Sequence, residues 1–218
     1  ALRAGADGLM HGIIDEPVDQ EFLDLMKRNK AVYVATSSLY EDVADVASWA
    51  RRQAAYDEAG RLSAIVNGFI AGPGAQQFEA TFNNSALTKR LLPTQRANLK
   101  KVFDAGVPVV MGTDAGFLGI LMGVSSQAEL ALMVEAGLTP DAALAAATIN
   151  AARMLGREAT FGTIETGKQA DMIVLDADPL ADIGNVRRIH RVIKGGVVHD
   201  PGQLLAGMRT LPPAGVDK

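Results

Sequence analysis

The chain has 218 residues, 48% of them hydrophobic and 21% charged, with a formal net charge of −4. That is ample apolar material for a core in an ordinary globular protein, and the mild acidity gives no reason to expect nucleic acid or an anionic membrane as a partner. Cysteine is absent, which removes disulfides, thiolate catalysis and cysteine-ligated zinc. No apolar run is long enough to span a bilayer and no secretory signal opens the chain, so a cytoplasmic location is expected.

The first residues, "ALRAGADGLMHG", read as the end of a helix running into a strand. A chain that starts in mid-fold is expected to be the C-terminal part of a longer protein. Leu2 to Ala4 form the last helical turn, Gly5 caps it, and a short strand ends at His11. Asp15 is placed to cap a helix with Pro17 in its first turn. Phe22, Leu23, Leu25 and Met26 recur at helical spacing, and the helix stops near Asn29. "AVYVAT" (31–36) is a strand of β-branched character that fades into the polar "SSLYED".

A helix is expected from about Glu41 to Glu58, followed by a glycine-rich stretch, "NGFIAGPGAQQ", that suggests a loop over something. Another helix runs from Thr94 to Ala105, closed by Gly106, and leads into the strand 107–112. Ser126 and Glu129 show the spacing of a capping box for the helix that follows, and Thr139 and Pro140 open an alanine-rich one through Ala147. The order strand, helix, strand, helix, strand, helix to residue 157 is that of a parallel α/β fold. Past Gly162 the texture changes: "ADMIVLDADP" and "RVIKGGVVHD" read as strands, the second a hairpin turning at Gly195 and Gly196. The expected division is therefore 1–157 and 158–218.

Functional side chains of parallel α/β folds gather at the C-terminal ends of the strands. Two residues with metal-ligand chemistry sit at such ends, His11 and Asp114. Each also has a plain structural explanation, the histidine as a satisfied strand-end residue and the aspartate as a turn former or helix cap. Ser37 and Ser38, just past the second strand, are candidates to line a pocket, with His11 the only plausible base for either. Arg51, Arg52 and Arg61 read as a solvated helix face, Lys168 as an exposed turn residue, and His190 and His199 as surface or structural. "GFLGILMGVSS" resembles a phosphate loop only loosely, lacking a Lys-Ser/Thr pair.

"AGVPVVMGTDAG", "AELALMVEAGLTPDAALAAATINAARMLG", "GTIETGKQADMIVLDADPLADI" and "VRRIHRVIKGGVVHD", in that order, resemble the C-terminal part of the amidohydrolase superfamily, in its imidazolonepropionase- and prolidase-like branch. The opening "AGADGLMHG" resembles that family's sixth-strand segment. The resemblance implies the last three strands of a (β/α)₈ TIM-like barrel, with 158–218 part of a small composite β-sandwich. It makes Asp114 the eighth-strand aspartate that binds the catalytic metal and takes a proton from its water. It makes His11 the sixth-strand histidine, a metal ligand in binuclear members and a substrate contact in mononuclear ones. The implied cofactor is a divalent metal, zinc by preference, as one or two ions, and the implied reaction is hydrolysis of a C–N bond in an amide or cyclic amide of a small molecule.

The family's paired first-strand histidines, fourth-strand lysine and fifth-strand histidine have no counterparts here. A catalytic zinc site normally needs three protein ligands and a barrel takes about 250 residues, so the isolated chain is expected to be inactive. The partners to expect are a small-molecule substrate and either the missing N-terminal half or further copies of the chain. A different class stays open, a non-catalytic relative acting as a binding or assembly module.

Overall fold

The computed structural model describes residues 1–45, 85–116 and 122–210. A 3-10 turn over Leu2–Ala4 ends at Gly5, whose φ of 88° suits a residue without Cβ, and leads into β1 (Gly8–Leu9). Helix α1 spans Gln20–Asn29. Its cap is Asp19, whose Oδ1 accepts from Phe22 N at 2.8 Å, rather than the expected Asp15. Pro17 stays outside the helix because its loop is held elsewhere. Asn98 accepts from Val18 N at 2.8 Å and donates to the carbonyls of Ile13 at 2.9 Å and Glu16 at 2.8 Å.

Strand β2 (Val32–Val34) is followed at once by α2 (Ser37–Ala44). The polar "SSLYED" is therefore the start of a helix, not the tail of a strand. Helix α3 (Ser85–Asp104) begins well ahead of the expected Thr94 and carries Pro93 inside it. Then come β3 (Val109–Val110), α4 (Val124–Glu135), α5 (Pro140–Ala147) and α6 (Ile149–Met154). The rest of the helix expected to Glu58 and the glycine-rich stretch after it lie outside the described residues.

The three strands form one parallel sheet in the order β1-β2-β3, with Leu9 paired to Tyr33 and Tyr33 to Val109. Alternate side chains leave a strand on opposite faces. Leu9, Tyr33, Ala35, Val109 and Met111 meet Leu23 and Met26 of α1, Leu99 and Val102 of α3 and Met133 of α4 in the main core. The other face carries Gly8, Val32, Val34, Val110 and Gly112. There the strands approach so closely that a Cβ on Gly112 would stand 2.4 Å from Val34 Cγ1, and one on Gly8 2.7 Å from Val32 Cγ2. Met10 remains 51% exposed on this face. A cavity of about 560 Å³ opens beside it at the N-terminal ends of the strands, bounded by Asp7, Lys30, Pro108 and Arg153. It therefore lies at the opposite end from the tips that carry His11 and Asp114.

Helices α1, α3 and α4 all hand over to the next segment through a left-handed residue that turns the chain back. At Gly106 and Gly137 glycine accepts this geometry freely, with φ of 76° and 104°. Lys30 does the same at φ 53°.

The second sheet is antiparallel, β4 (Met172–Leu175), β5 (Ile189–Lys194) and β6 (Val197–His199), and α7 (Pro201–Thr210) follows it. Its hairpin turns at Gly195 and Gly196, both with positive φ, as the paired glycines lead one to expect. A 3-10 turn over Ile183–Arg187 packs on α4 and places Ile183 and Val186 in the main core. No helix among the described residues is long and apolar enough to cross a membrane.

Candidate active site

The parallel sheet brings three residues to one end. His11 follows β1, Thr36 follows β2 and Asp114 follows β3, each just past the last paired residue. Thr36 and Asp114 both adopt left-handed backbone, at φ 48° and 55°. For a β-branched threonine this is a rare conformation, and such strain, of about 1–3 kcal/mol per residue, persists only where the surroundings enforce it. Among the described residues only Lys30, at a helix end, shares this property without being glycine.

His11 is exposed, but its ring is held: Nδ1 lies 3.0 Å from Thr36 Oγ1. The Thr36 hydroxyl donates to the Ala35 carbonyl at 2.8 Å. Tyr40 donates to the Gly12 carbonyl at 3.1 Å. With the threonine proton on the Ala35 carbonyl, His11 Nδ1 is the donor, and among the described residues no hydrogen bond engages Nε2. This is the arrangement of a metal-ligating histidine, one ring nitrogen anchored and the other free.

Asp114 is exposed as well, and among the described residues no hydrogen bond engages its carboxylate. Its charge reaches Tyr40. Burial is the main cause that pushes the Tyr40 phenol up, the Thr36 hydrogen bond pulls it down, and the negative charges of Asp15 and Asp114 add to the rise. His11 follows β1 and Asp114 follows β3, on either side of the Thr36 tip of β2. A third donor is not present locally: no group of three His, Cys, Asp or Glu able to hold a metal occurs among the described residues.

Beneath the tips, buried polar groups fix the loops. Gly12 donates to Ala35 O at 3.2 Å, and Tyr33 Oη accepts from Ile13 N at 2.8 Å. Tyr33 is fully buried, with Phe22 edge-on to its ring, and burial pushes its phenol up to about 12 while the Ile13 N–H pulls the other way. An acid whose folded pKa lies above its unfolded value of 10 is stabilising below that value, and the contribution fades as pH rises towards 12. Two pH units correspond to about 3 kcal/mol. Urea unfolding between pH 9 and 12 should therefore show stability falling in this window, and Tyr33→Phe should flatten the fall. An equal fall in the variant would assign it to other groups.

Glu129 overturns its expected local role. Helix α4 starts at Val124 with Gly123 as its cap, so Ser126 and Glu129 form no capping box. Glu129 is completely buried and instead caps α2: Oε1 accepts from Ser37 N at 2.9 Å and Oε2 from Ser38 N at 2.6 Å. Burial raises its carboxyl above the usual range, and the Ser38 and Ser37 N–H groups oppose the rise. Ser37 and Ser38 are themselves buried, and Ser37 Oγ accepts from Gln95 Nε2 at 2.9 Å. They support the corner of the chain rather than lining a pocket. Among the described residues the Ser38 hydroxyl completes no hydrogen bond of ordinary geometry.

Lys168 also departs from expectation. Its side chain is 13% exposed and its ammonium donates to Thr163 Oγ1 at 2.5 Å, pinning the turn before β4. His190 is exposed and pairs with Asp176 at 3.0 Å, and His199 lies on β6. Arg51, Arg52, Arg61 and residues 117–121 of "GFLGILMGVSS" lie outside the described residues.

The supporting residues Gln95, Asn98 and Tyr40 are not singled out by sequence reasoning. Gln95 and Asn98 carry one faint signal: they interrupt the apolar face of α3 that Leu92, Leu99 and Val102 continue. Tyr40 offers none, since it lies in a stretch whose secondary structure is misjudged.

The sequence profile of the amidohydrolase family matches residues 26–198. An imidazolonepropionase of Geobacillus kaustophilus is 37% identical over 119 residues, 51% of this chain and 27% of that protein. A 5-methylthioadenosine/S-adenosylhomocysteine deaminase of Moorella thermoacetica is 37% identical over 87 residues, 37% of this chain and 20% of that protein. Among solved structures, a Xaa-Pro dipeptidase with methionine in its active site superposes with a TM-score of 0.67 at 27% identity, over 92% of this chain and 41% of that one. The chain thus spans about a quarter of the curated relatives it matches and two fifths of the solved ones. The family profile covers most of the parallel sheet, both strand tips that follow β2 and β3, and most of the antiparallel sheet, and the chain belongs to the amidohydrolase family.

Proposed function

We propose that this chain supplies the last three barrel strands and part of the β-sandwich of a metal-dependent hydrolase that cleaves the C–N bond of a small amide or cyclic amide. The observation that carries the reading is the placement of His11, whose Nδ1 meets Thr36 Oγ1, and Asp114 at the same end of one parallel sheet, beyond β1 and β3 on either side of β2. Its membership of the amidohydrolase family and its similarity to an imidazolonepropionase and a Xaa-Pro dipeptidase support this reaction class.

An imidazole nitrogen and a carboxylate suit zinc, so His11 Nε2 and Asp114 fit a shared ion as two of its donors. The remaining donors, in this proposal, come from an N-terminal half of the barrel. When bound, a divalent ion supplies Lewis acidity and an activated water. The chain's own part is then to hold and move a proton. Asp114, exposed and without a competing hydrogen bond among the described residues, accepts the proton released as water attacks and delivers it to the departing amine. His11 is oriented by Thr36 throughout.

The complete gene product, stripped with a chelator, should lose at least about 100-fold of its activity towards a panel of small amides and regain it on addition of Zn²⁺. Undiminished hydrolysis in the metal-free protein would refute the reading. Failure of the complete product to bind any divalent metal or to hydrolyse any amide would favour a non-catalytic binding module instead.

A further inference from the structure

The Glu129 carboxylate is the least explained group in the molecule by local rules. Burying a carboxylate is unfavourable unless its oxygens are well partnered, and a cap on its own helix would have left it at the surface. Here it crosses from α4 to the beginning of α2, where each oxygen takes one backbone N–H, from Ser37 and from Ser38. Gln95 binds the same corner from α3, donating to Ser37 Oγ at 2.9 Å and weakly to the Ala35 carbonyl at 3.4 Å. The residue between these anchored points is Thr36, 3% exposed and left-handed, whose hydroxyl meets His11 Nδ1.

We propose that Glu129 is a positioning residue for His11: by fixing the N–H groups of Ser37 and Ser38 it holds Thr36 in the left-handed conformation from which its hydroxyl selects the tautomer and direction of the histidine ring. A β-branched residue does not remain left-handed unless both of its neighbours are constrained. The Ala35 side of Thr36 is fixed by the sheet, and the Ser37 side is fixed by Glu129. Charge-assisted bonds to two successive N–H groups at a helix start give that anchor its stiffness. Glu129 touches neither His11 nor any reacting atom, so its influence passes through Thr36. The inference rests on the reading of His11 as part of the site.

The test uses the complete gene product, freed of metal with a chelator, because this chain supplies only part of the proposed barrel. Nitrogen-15 NMR of the imidazoles at alkaline pH reports each ring's tautomer, and His11→Asn assigns the His11 signals. The wild-type ring should be predominantly Nδ1–H. Glu129→Ala should shift the His11 tautomer ratio by about fivefold towards Nε2–H, the effect of losing one net hydrogen bond. Glu129→Gln, which keeps one acceptor, should give a smaller shift in the same direction, and it carries the comparison if the alanine variant does not fold.

Thr36→Val should reproduce the shift. Leu130→Ala, which truncates the adjacent buried residue of α4, should weaken the fold and leave the His11 tautomer unchanged. The inference fails if both Glu129 variants leave the tautomer where it is, or if Leu130→Ala moves it as far. Such a failure alongside metal-dependent hydrolysis by the complete gene product would leave the proposed function standing.

Discussion

Gly12→Ala should destabilise the chain by about 1–3 kcal/mol and push His11 away from Thr36. The residue after the histidine has no room for a methyl group. An added Cβ would lie 2.9 Å from the Ala35 carbonyl oxygen, 3.0 Å from Tyr33 Oη and 3.4 Å from Gln95 Nε2. The first of these is backbone of a central strand and the second is the end of a fully buried ring, so neither can give way cheaply. The strain must instead be relieved by moving the segment from His11 to Ile13, at the expense of the Gly12 bond to Ala35 and the Ile13 bond to Tyr33. Urea denaturation reads the loss of stability directly, and a loss below about 0.5 kcal/mol, the range of an indifferent surface change, would contradict the packing described.

Asp114→Asn should lower the hydrolytic rate of the complete gene product by about 10²–10⁴ while leaving its fold intact. The substitution keeps the shape of the side chain and tolerates the backbone, because asparagine, like aspartate, enters the left-handed region more readily than most residues. What it removes is the charge and the capacity to take up a proton. A stability equal to wild type, shown by urea denaturation, combined with the rate loss separates a chemical role from a structural one. Retained activity would remove Asp114 from the reaction.

The sequence conveys the parallel α/β order and the glycine-closed helix end at Gly106, since an apolar helical period followed by glycine has few alternative meanings. The Gly195–Gly196 hairpin is legible for the same reason. Lys30 makes an equivalent turn that no residue type announces. The start of α3 is misjudged: the expected helix begins at Thr94, after Pro93, whereas Pro93 lies well inside a helix that runs from Ser85.

Long-range polar bonds are the part that chain order hides. Ser126 and Glu129 satisfy a local capping pattern, yet the carboxylate finds its partners at Ser37 and Ser38, brought beside it by folding alone. Asp15 looks like the helix cap, but the cap is Asp19, because Asn98, distant in sequence, holds the loop between them. The two strand-tip residues are visible from their chemistry and position. The buried side chains that set their geometry are visible only once the fold is known.

The central claim, that His11 and Asp114 serve one metal ion, is tested most directly by a zinc anomalous-scattering map of crystals of the complete gene product. The proposed site predicts a zinc peak within about 2.0–2.2 Å of both His11 Nε2 and an Asp114 carboxylate oxygen, with His11 Nδ1 still bonded to Thr36. A fully occupied zinc bound elsewhere, with these two side chains uncoordinated, would contradict it.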